Sequence, residues 1–203
     1  TRTDVTTEMT QFLSWLNTKT DHSGYIRAAI AKFYFVTIHP FDDGNGRLSR
    51  VIAERCLAEF EGTDLRLYSL SHVIERKRAE YYDLLETCQR GTGDITQWII
   101  WFLDAVREAG QEASQHFQRL NLRTQFWQKH YSSGLNSEQV KVLNRLLDGG
   151  ERGFVDGINA SQYQKVAKVS KATATRHLAS LLESGCLEKL AGGGRSTRYH
   201  LKN

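Results

Sequence analysis

The chain has 203 residues, 40% hydrophobic and 25% charged, enough for one sizeable domain and one small one, each with its own core. One proline and 16 glycines exclude a low-complexity chain. The most apolar run, Trp98–Leu103, has six residues between Asp94 and Asp104, where a membrane-spanning helix needs about 20. The formal charge of +4 is uneven: residues 160–203 carry five Lys and three Arg against two Glu, a net of +6. A basic end suits an anionic partner, although a solvated charged face is the commoner meaning.

In chain order, apolar residues recur at helical spacing almost everywhere before residue 150. Helices are predicted in "TEMTQFLSWLN", "YIRAAIAKFYFVTI", "GRLSRVIAERCLAEF", "ERKRAEYYDLLETCQRG" and "DITQWIIWFLDAVREAG", with a long amphipathic helix following from about Gln111 to Tyr131. A linker, "YSSGLNSEQ", then leads into a helix capped by Asn136 or Ser137. Two short helices meet across a tight turn at Val169-Ser170, and "CLEKL" and "TRYHL" read as strands around the glycine-rich "AGGGRS". Helix, helix, turn, helix, hairpin is the order of a winged helix-turn-helix. The expected fold is mainly α, with a helical domain over residues 1–132 and a winged helix-turn-helix over 133–203.

Cys56, Cys88 and Cys186 are odd in number, far apart and free of any CxxC pair, so they read as reduced thiols in a cytoplasmic protein. The other histidines, His22, His72, His116, His130, His177 and His200, form no metal-ligand spacing.

One stretch, "HPFDDGNGRLSR" (His39 to Arg50), stands apart. His39-Pro40 should end a helix, because the residue before proline is pushed out of the right-handed helical region. "DDGNG" is a loop whose glycines let backbone N–H groups turn inward, and the helix after it points its positive dipole end at that loop. This is how proteins cradle phosphates. Arg47 and Arg50, three apart, share a helix face and can reach one anion. Asp43 is placed to hold a metal riding on phosphates, since magnesium usually takes one or two carboxylates plus phosphate oxygens. A histidine titrates nearest neutrality, which suits His39 to act as a base. Asp-Gly and Asn-Gly alone are ordinary turn dipeptides. It is the base, carboxylate, anion loop and paired arginines together in twelve residues that favour a functional reading. No Walker loop, HExxH or EF-hand pattern competes for it.

The stretch matches every position of HPFx[DE]GNGRxxR and so resembles the signature of the Fic family, with the likeness running over roughly residues 5–110. The tail resembles the winged-helix extension of one multidomain branch. The resemblance implies transfer of AMP from ATP, with Mg²⁺, to a Ser, Thr or Tyr hydroxyl of a protein. It makes His39 the base and Asp43 the metal ligand. Gly44, Asn45 and Gly46 become the phosphate anion hole, and Arg47 and Arg50 the clamp. Phe41 and Asp42 belong to the same nucleotide-binding loop, with Phe41 packing inward to fix it. By the same resemblance Tyr81, Tyr82 and Gln89, in "RAEYYDLLETCQRG", hold the adenosine. Other relatives transfer phosphate or phosphocholine, or remove AMP; an intact GNG loop argues for AMP transfer.

Two family features are expected upstream of Thr1: the inhibitory helix [ST]xxxE[GN], whose best approach here, "AEFEG", has Leu57 where Ser or Thr is required, and the flap that aligns the target chain. The implied partners are a protein substrate, the chain itself included, a second copy of the chain, and DNA through the C-terminal end, with no membrane. For DNA, Lys171, Thr173, Thr175 and Arg176 stand in the N-terminal half of the candidate recognition helix, with Lys189, Arg195 and Arg198 on the wing. The rival reading of the whole chain is a DNA-binding regulator whose Fic part senses nucleotide.

Overall fold

The computed structural model describes residues 4–18, 23–63, 67–131, 133–149, 154, 156–190 and 197–202. Among these the chain is mainly α and divides into two compact units, Thr1–Ser114 and Gln115–Asn203.

The first unit is helical throughout. Asp4 caps α1 (Val5–Asn17) by accepting from the Thr6 N–H. Next come α2 (Gly24–Ile38) and α3 (Asn45–Glu61), joined by the loop that carries the motif. These two helices pack through small residues: Ala28, Ala29, Ala31 and Ala53 are all fully buried. Gly24 lies so near Phe60 that an added Cβ would fall 2.1 Å from that residue's Cβ, so only glycine fits there. The segment predicted as one helix around "ERKRAEYYDLL" is two, α4 (Leu70–Arg76) and α5 (Arg78–Arg90). They part at Lys77, whose φ of −101° and ψ of 29° lie outside the helical region. Salt bridges from Arg76 to Glu108 and Glu112 (2.5 and 2.7 Å) and from Lys77 to Glu108 (2.6 Å) hold that break against the next helix.

The last two helices predicted before the linker are one, α6 (Thr96–His130), 35 residues long. Gly110 does not interrupt it, because a lone glycine costs a helix only about 1 kcal/mol and no proline follows. In the first unit α6 supplies Trp98, whose indole N–H donates to the Ala29 carbonyl at 2.8 Å. Phe12, Phe35, Leu57, Trp98 and Phe102 form the centre of that core. Burying each large apolar side chain stabilises the fold by about 1.5–3 kcal/mol.

In the second unit α7 (Ser137–Leu147) starts in a full capping box, with Asn136 accepting from the Gln139 N–H while the Gln139 side chain accepts from the Asn136 N–H. Asn159 and Gln162 repeat the device at α8 (Ala160–Ala167). Lys168, left-handed at φ 57°, and Ser170, the cap of α9 (Lys171–Glu183), make the tight turn. Strands β1 (Leu187–Lys189) and β2 (Tyr199–Leu201) pair antiparallel, Leu187 opposite Leu201. The predicted turn "AGGGRS", with Arg195, lies outside the described residues apart from its neighbours.

An unforeseen bridge joins Ile158 to Tyr199. It requires Gly157, where a Cβ would come within 2.7 Å of the Tyr199 carbonyl. Asn136 Nδ2 and Tyr163 Oη contact the two ring nitrogens of buried His177 at 3.2 and 3.1 Å. The Asn136 amide is already oriented by its capping bond, so Nε2 of His177 accepts and Nδ1–H donates to Tyr163. His177 is therefore a core histidine.

All three cysteines are free and buried, and burial raises the Cys56 thiol. No helix among the described residues is long and apolar enough to cross a membrane.

Candidate active site

The motif loop is built around two backbone features and one buried side chain. His39 closes α2 with φ 52° and ψ 58°, and its N–H still donates to the Phe35 carbonyl at 3.1 Å. The pre-proline position has left the right-handed helical region as expected, by way of the left-handed one. Non-glycine residues seldom adopt that conformation, and where they do the surroundings hold them there. Gly44, at φ 88°, turns the chain into α3 with no capping side chain. The first N–H groups of α3 consequently have no acceptor within the helix. They face the loop with the helix's positive end, the condition for anion binding.

Asn45 locks this turn. It is 2% exposed; its Oδ1 accepts from the Phe41 N–H at 3.1 Å and its Nδ2 donates to the Phe41 carbonyl at 2.5 Å. This adds a structural part to Asn45 and corrects the expected one of Phe41. The side chain of Asn45 is spent on the loop, so only its backbone N–H is available to an anion. Phe41, expected to pack inward, is 50% exposed, with its ring 6.4 Å from that of Phe35. The loop is held by an amide instead of an aromatic ring.

Asp43 and Arg47 face solvent and pair with each other, Oδ2 to Nη2 at 2.9 Å, with side chains 90% and 72% exposed. Asp43 Oδ1 also accepts from the Gly44 N–H at 2.6 Å. An exposed pair of this kind is worth about 0–1 kcal/mol, so a phosphate and its metal can replace it readily. Asp42 is exposed beside them. Arg50, one turn further along α3, donates from Nε to the Gly46 carbonyl at 3.3 Å.

Gly46 and Arg50 also line a cleft of about 220 Å³, together with Lys32, Ser71, Ile74, Glu75, Arg78, Tyr81 and Tyr82. The end of the motif loop and the predicted tyrosines thus share one wall. Tyr81 is buried against Trp98 and Trp101, and burial pushes its hydroxyl up to about 12. Tyr82 is 54% exposed, stands edge-on to Tyr81 with centroids 5.0 Å apart, and lies under the Arg78 guanidinium. Gln89 is not part of this cleft: its Nε2 donates to Thr37 Oγ1 at 3.1 Å, tying α5 to the end of α2. Lys32 went unnoticed in the sequence, where it is one lysine in an apolar helix; its burial is the signal.

Among the described residues no cluster of three or more His, Cys, Asp or Glu could hold a metal. One exposed carboxylate in a weak surface pair beside such a loop is the donor set of a magnesium ion carried in on phosphates, not of an all-protein cage. Asp43 fits that role.

The model of the Fic/DOC family matches residues 2–57. That match contains α1, α2, the loop and most of α3. Residues 2–57 are thus similar to the Fic/DOC family. "Protein adenylyltransferase Fic" of Aedes aegypti is 33% identical over 105 residues, 51% of this chain and 19% of that protein. The protein of the same name from Drosophila melanogaster is 30% identical over 109 residues, 52% and 20% of the two chains. The chain thus spans about a fifth of the length of these curated relatives. A solved Fic family protein from Desulfovibrio desulfuricans G20 superposes with a TM-score of 0.51 at 22% identity. It covers 97% of this chain and 55% of its own, so the two share a fold.

Proposed function

We propose that the chain transfers AMP from ATP to a hydroxyl of a protein. The observation that carries this reading is the single wall formed by the loop of α3 and the tyrosine cleft, joined at Gly46 and Arg50. One end suits a polyphosphate and the other an aromatic base. The curated relatives, named protein adenylyltransferases, support the same chemistry.

In this reading the N–H groups of the Gly44–Gly46 turn and the guanidinium groups of Arg47 and Arg50 hold the phosphates. Tyr82 and Tyr81 flank the adenosine. Asp43 would hold Mg²⁺, which when bound neutralises phosphate charge. His39, exposed at the end of α2, takes the proton of a Ser, Thr or Tyr hydroxyl. The hydroxyl oxygen then bonds to the α-phosphorus, the bond from that phosphorus to the β-phosphate oxygen breaks, and pyrophosphate leaves. Such transfer depends on positioning and charge neutralisation, which these residue types provide. The second copy of the chain and the cytoplasmic setting expected from the sequence belong to this same reading.

Incubation with ATP labelled at the α-phosphate should place label on protein, and ATP labelled at the γ-phosphate should not. Asp43→Ala should lower the labelling and remove most of the magnesium dependence of ATP binding. Label transferred from the γ-phosphate would replace the reading with a kinase.

A DNA-binding role for the second unit is favoured by one observation: Lys171, Thr175 and Arg176 are exposed on the N-terminal half of α9, the second helix across the tight turn. Thr173 is less available, because its hydroxyl pairs with Ser170 Oγ at 3.0 Å. Arg198 is occupied too, donating to the Gly157 carbonyl at 2.9 Å, while Lys189 is exposed on β1. Lys171→Ala with Arg176→Ala should reduce duplex binding by the full chain and flatten its salt dependence. Unchanged binding at every salt concentration would leave α9 a packing element.

A further inference from the structure

Lys32 lies on the buried face of α2 among Ala28, Ala29, Ala31 and Phe35, and is itself only 1% exposed. A buried ammonium is costly unless something compensates it, and a buried lysine normally finds a carboxylate. Among the described residues Lys32 forms no ion pair. Its Nζ donates to Ser49 Oγ at 3.1 Å and sits 5.3 Å from the centroid of the Tyr81 ring. Ser49 in turn donates to the Gly46 carbonyl at 3.0 Å, the same carbonyl that accepts from Arg50. A chain of hydrogen bonds therefore runs from a buried cation to the turn whose N–H groups face the anion site. Lys32 also lines the cleft itself, beside Arg50 and Arg78. Packing alone would be served as well by a methionine or leucine, without the desolvation.

Resting on the nucleotide reading above, we propose that Lys32 is a specificity-determining residue of the cleft: its buried positive charge makes the site select a polyphosphate over a bare nucleoside. It acts through Ser49 on the Gly46 turn and through space on the phosphates.

The charges around it are consistent with this role. Burial, then the like charge of Arg50, pushes the Lys32 ammonium down to about 8, and Glu54 opposes the shift. Arg78 and Glu75 stand across the cleft with Tyr82, and Tyr81, at about 12, stays neutral throughout the useful range. A bound polyanion favours the charged form and raises this value. The affinity that Lys32 contributes is therefore complete below about 8 and is lost as pH rises from there through the raised value of the complex.

The test is calorimetric titration of the full chain with magnesium-ATP and, separately, adenosine, between about pH 7 and about pH 9. For the wild type, ATP affinity should fall several-fold across that range and adenosine affinity should stay flat. Lys32→Met should bind ATP about tenfold more weakly at the lower pH, with no slope, and should keep its adenosine affinity. Lys32→Arg, permanently charged, should recover ATP binding at the lower pH and also lose the slope. Wild-type ATP affinity and slope in Lys32→Met would overturn the inference. Should Lys32→Met not fold, the slope of the wild type against that of Lys32→Arg decides the same question. A wild type that binds neither ligand would overturn the nucleotide reading itself, an outcome distinct from failure of Lys32 alone.

Discussion

His39→Ala is expected to cut AMP transfer by about 10²–10⁴ while leaving ATP affinity nearly unchanged, as suits a positioned base. The geometry separates these two effects. His39 belongs to the end of α2, and the anion-binding groups, from Gly44 to Arg50, belong to α3 and its first turn. The imidazole has no hydrogen-bond partner among the described residues, and the cleft is lined without it. Removing the ring should also relieve little strain, because alanine at φ 52° is no better placed than histidine. Loss of ATP binding in parallel with activity would mean that His39 holds the phosphates, and the base would then lie elsewhere.

Asn45→Asp should be nearly as damaging for a different reason. The substitution is isosteric and keeps an acceptor for the Phe41 N–H, but it turns the 2.5 Å contact with the Phe41 carbonyl from a hydrogen bond into a repulsion. Leaving a buried polar group unpaired costs about 1–3 kcal/mol, and more when charged groups are involved. Because Asn45 sets the path of the chain from His39 to Gly44, the base and the anion site should be displaced together. Both ATP affinity and transfer should fall, the latter by about tenfold to a hundredfold, with the helical content unchanged. A variant with wild-type kinetics would show that the loop is held by something other than this amide.

The helices of the first unit were legible in the sequence because their apolar residues repeat at 3.6-residue spacing, and α2, α3 and α5 end at a proline or a glycine. What periodicity could not supply was continuity. The break at Lys77 has no glycine or proline to announce it, while Gly110, which looks like a stop, lies inside α6. The motif loop was legible for its chemistry, since residue types that serve an anion and a base are crowded into twelve positions. The side chains that bear its mechanical load were harder to read. Asn45 looks like a turn residue and proves to be a buried anchor, Phe41 looks like an anchor and faces solvent, and Lys32 lies seven residues before the motif with nothing in its neighbours to mark it. In the second unit the capping residues Asn136 and Asn159 were of the right type, but the bridge between Ile158 and Tyr199 joins positions 41 apart and leaves no local pattern.

The central claim is that His39 and the loop after it move AMP onto a hydroxyl. The most direct measurement is intact mass of the full chain, and of proteins incubated with it, after exposure to ATP and magnesium, run in parallel for the wild type and His39→Ala. The account predicts a gain of one AMP per modified hydroxyl with the wild type and none within the same time with the variant. A gain of phosphate in place of AMP, or equal AMP gain with both proteins, would contradict it.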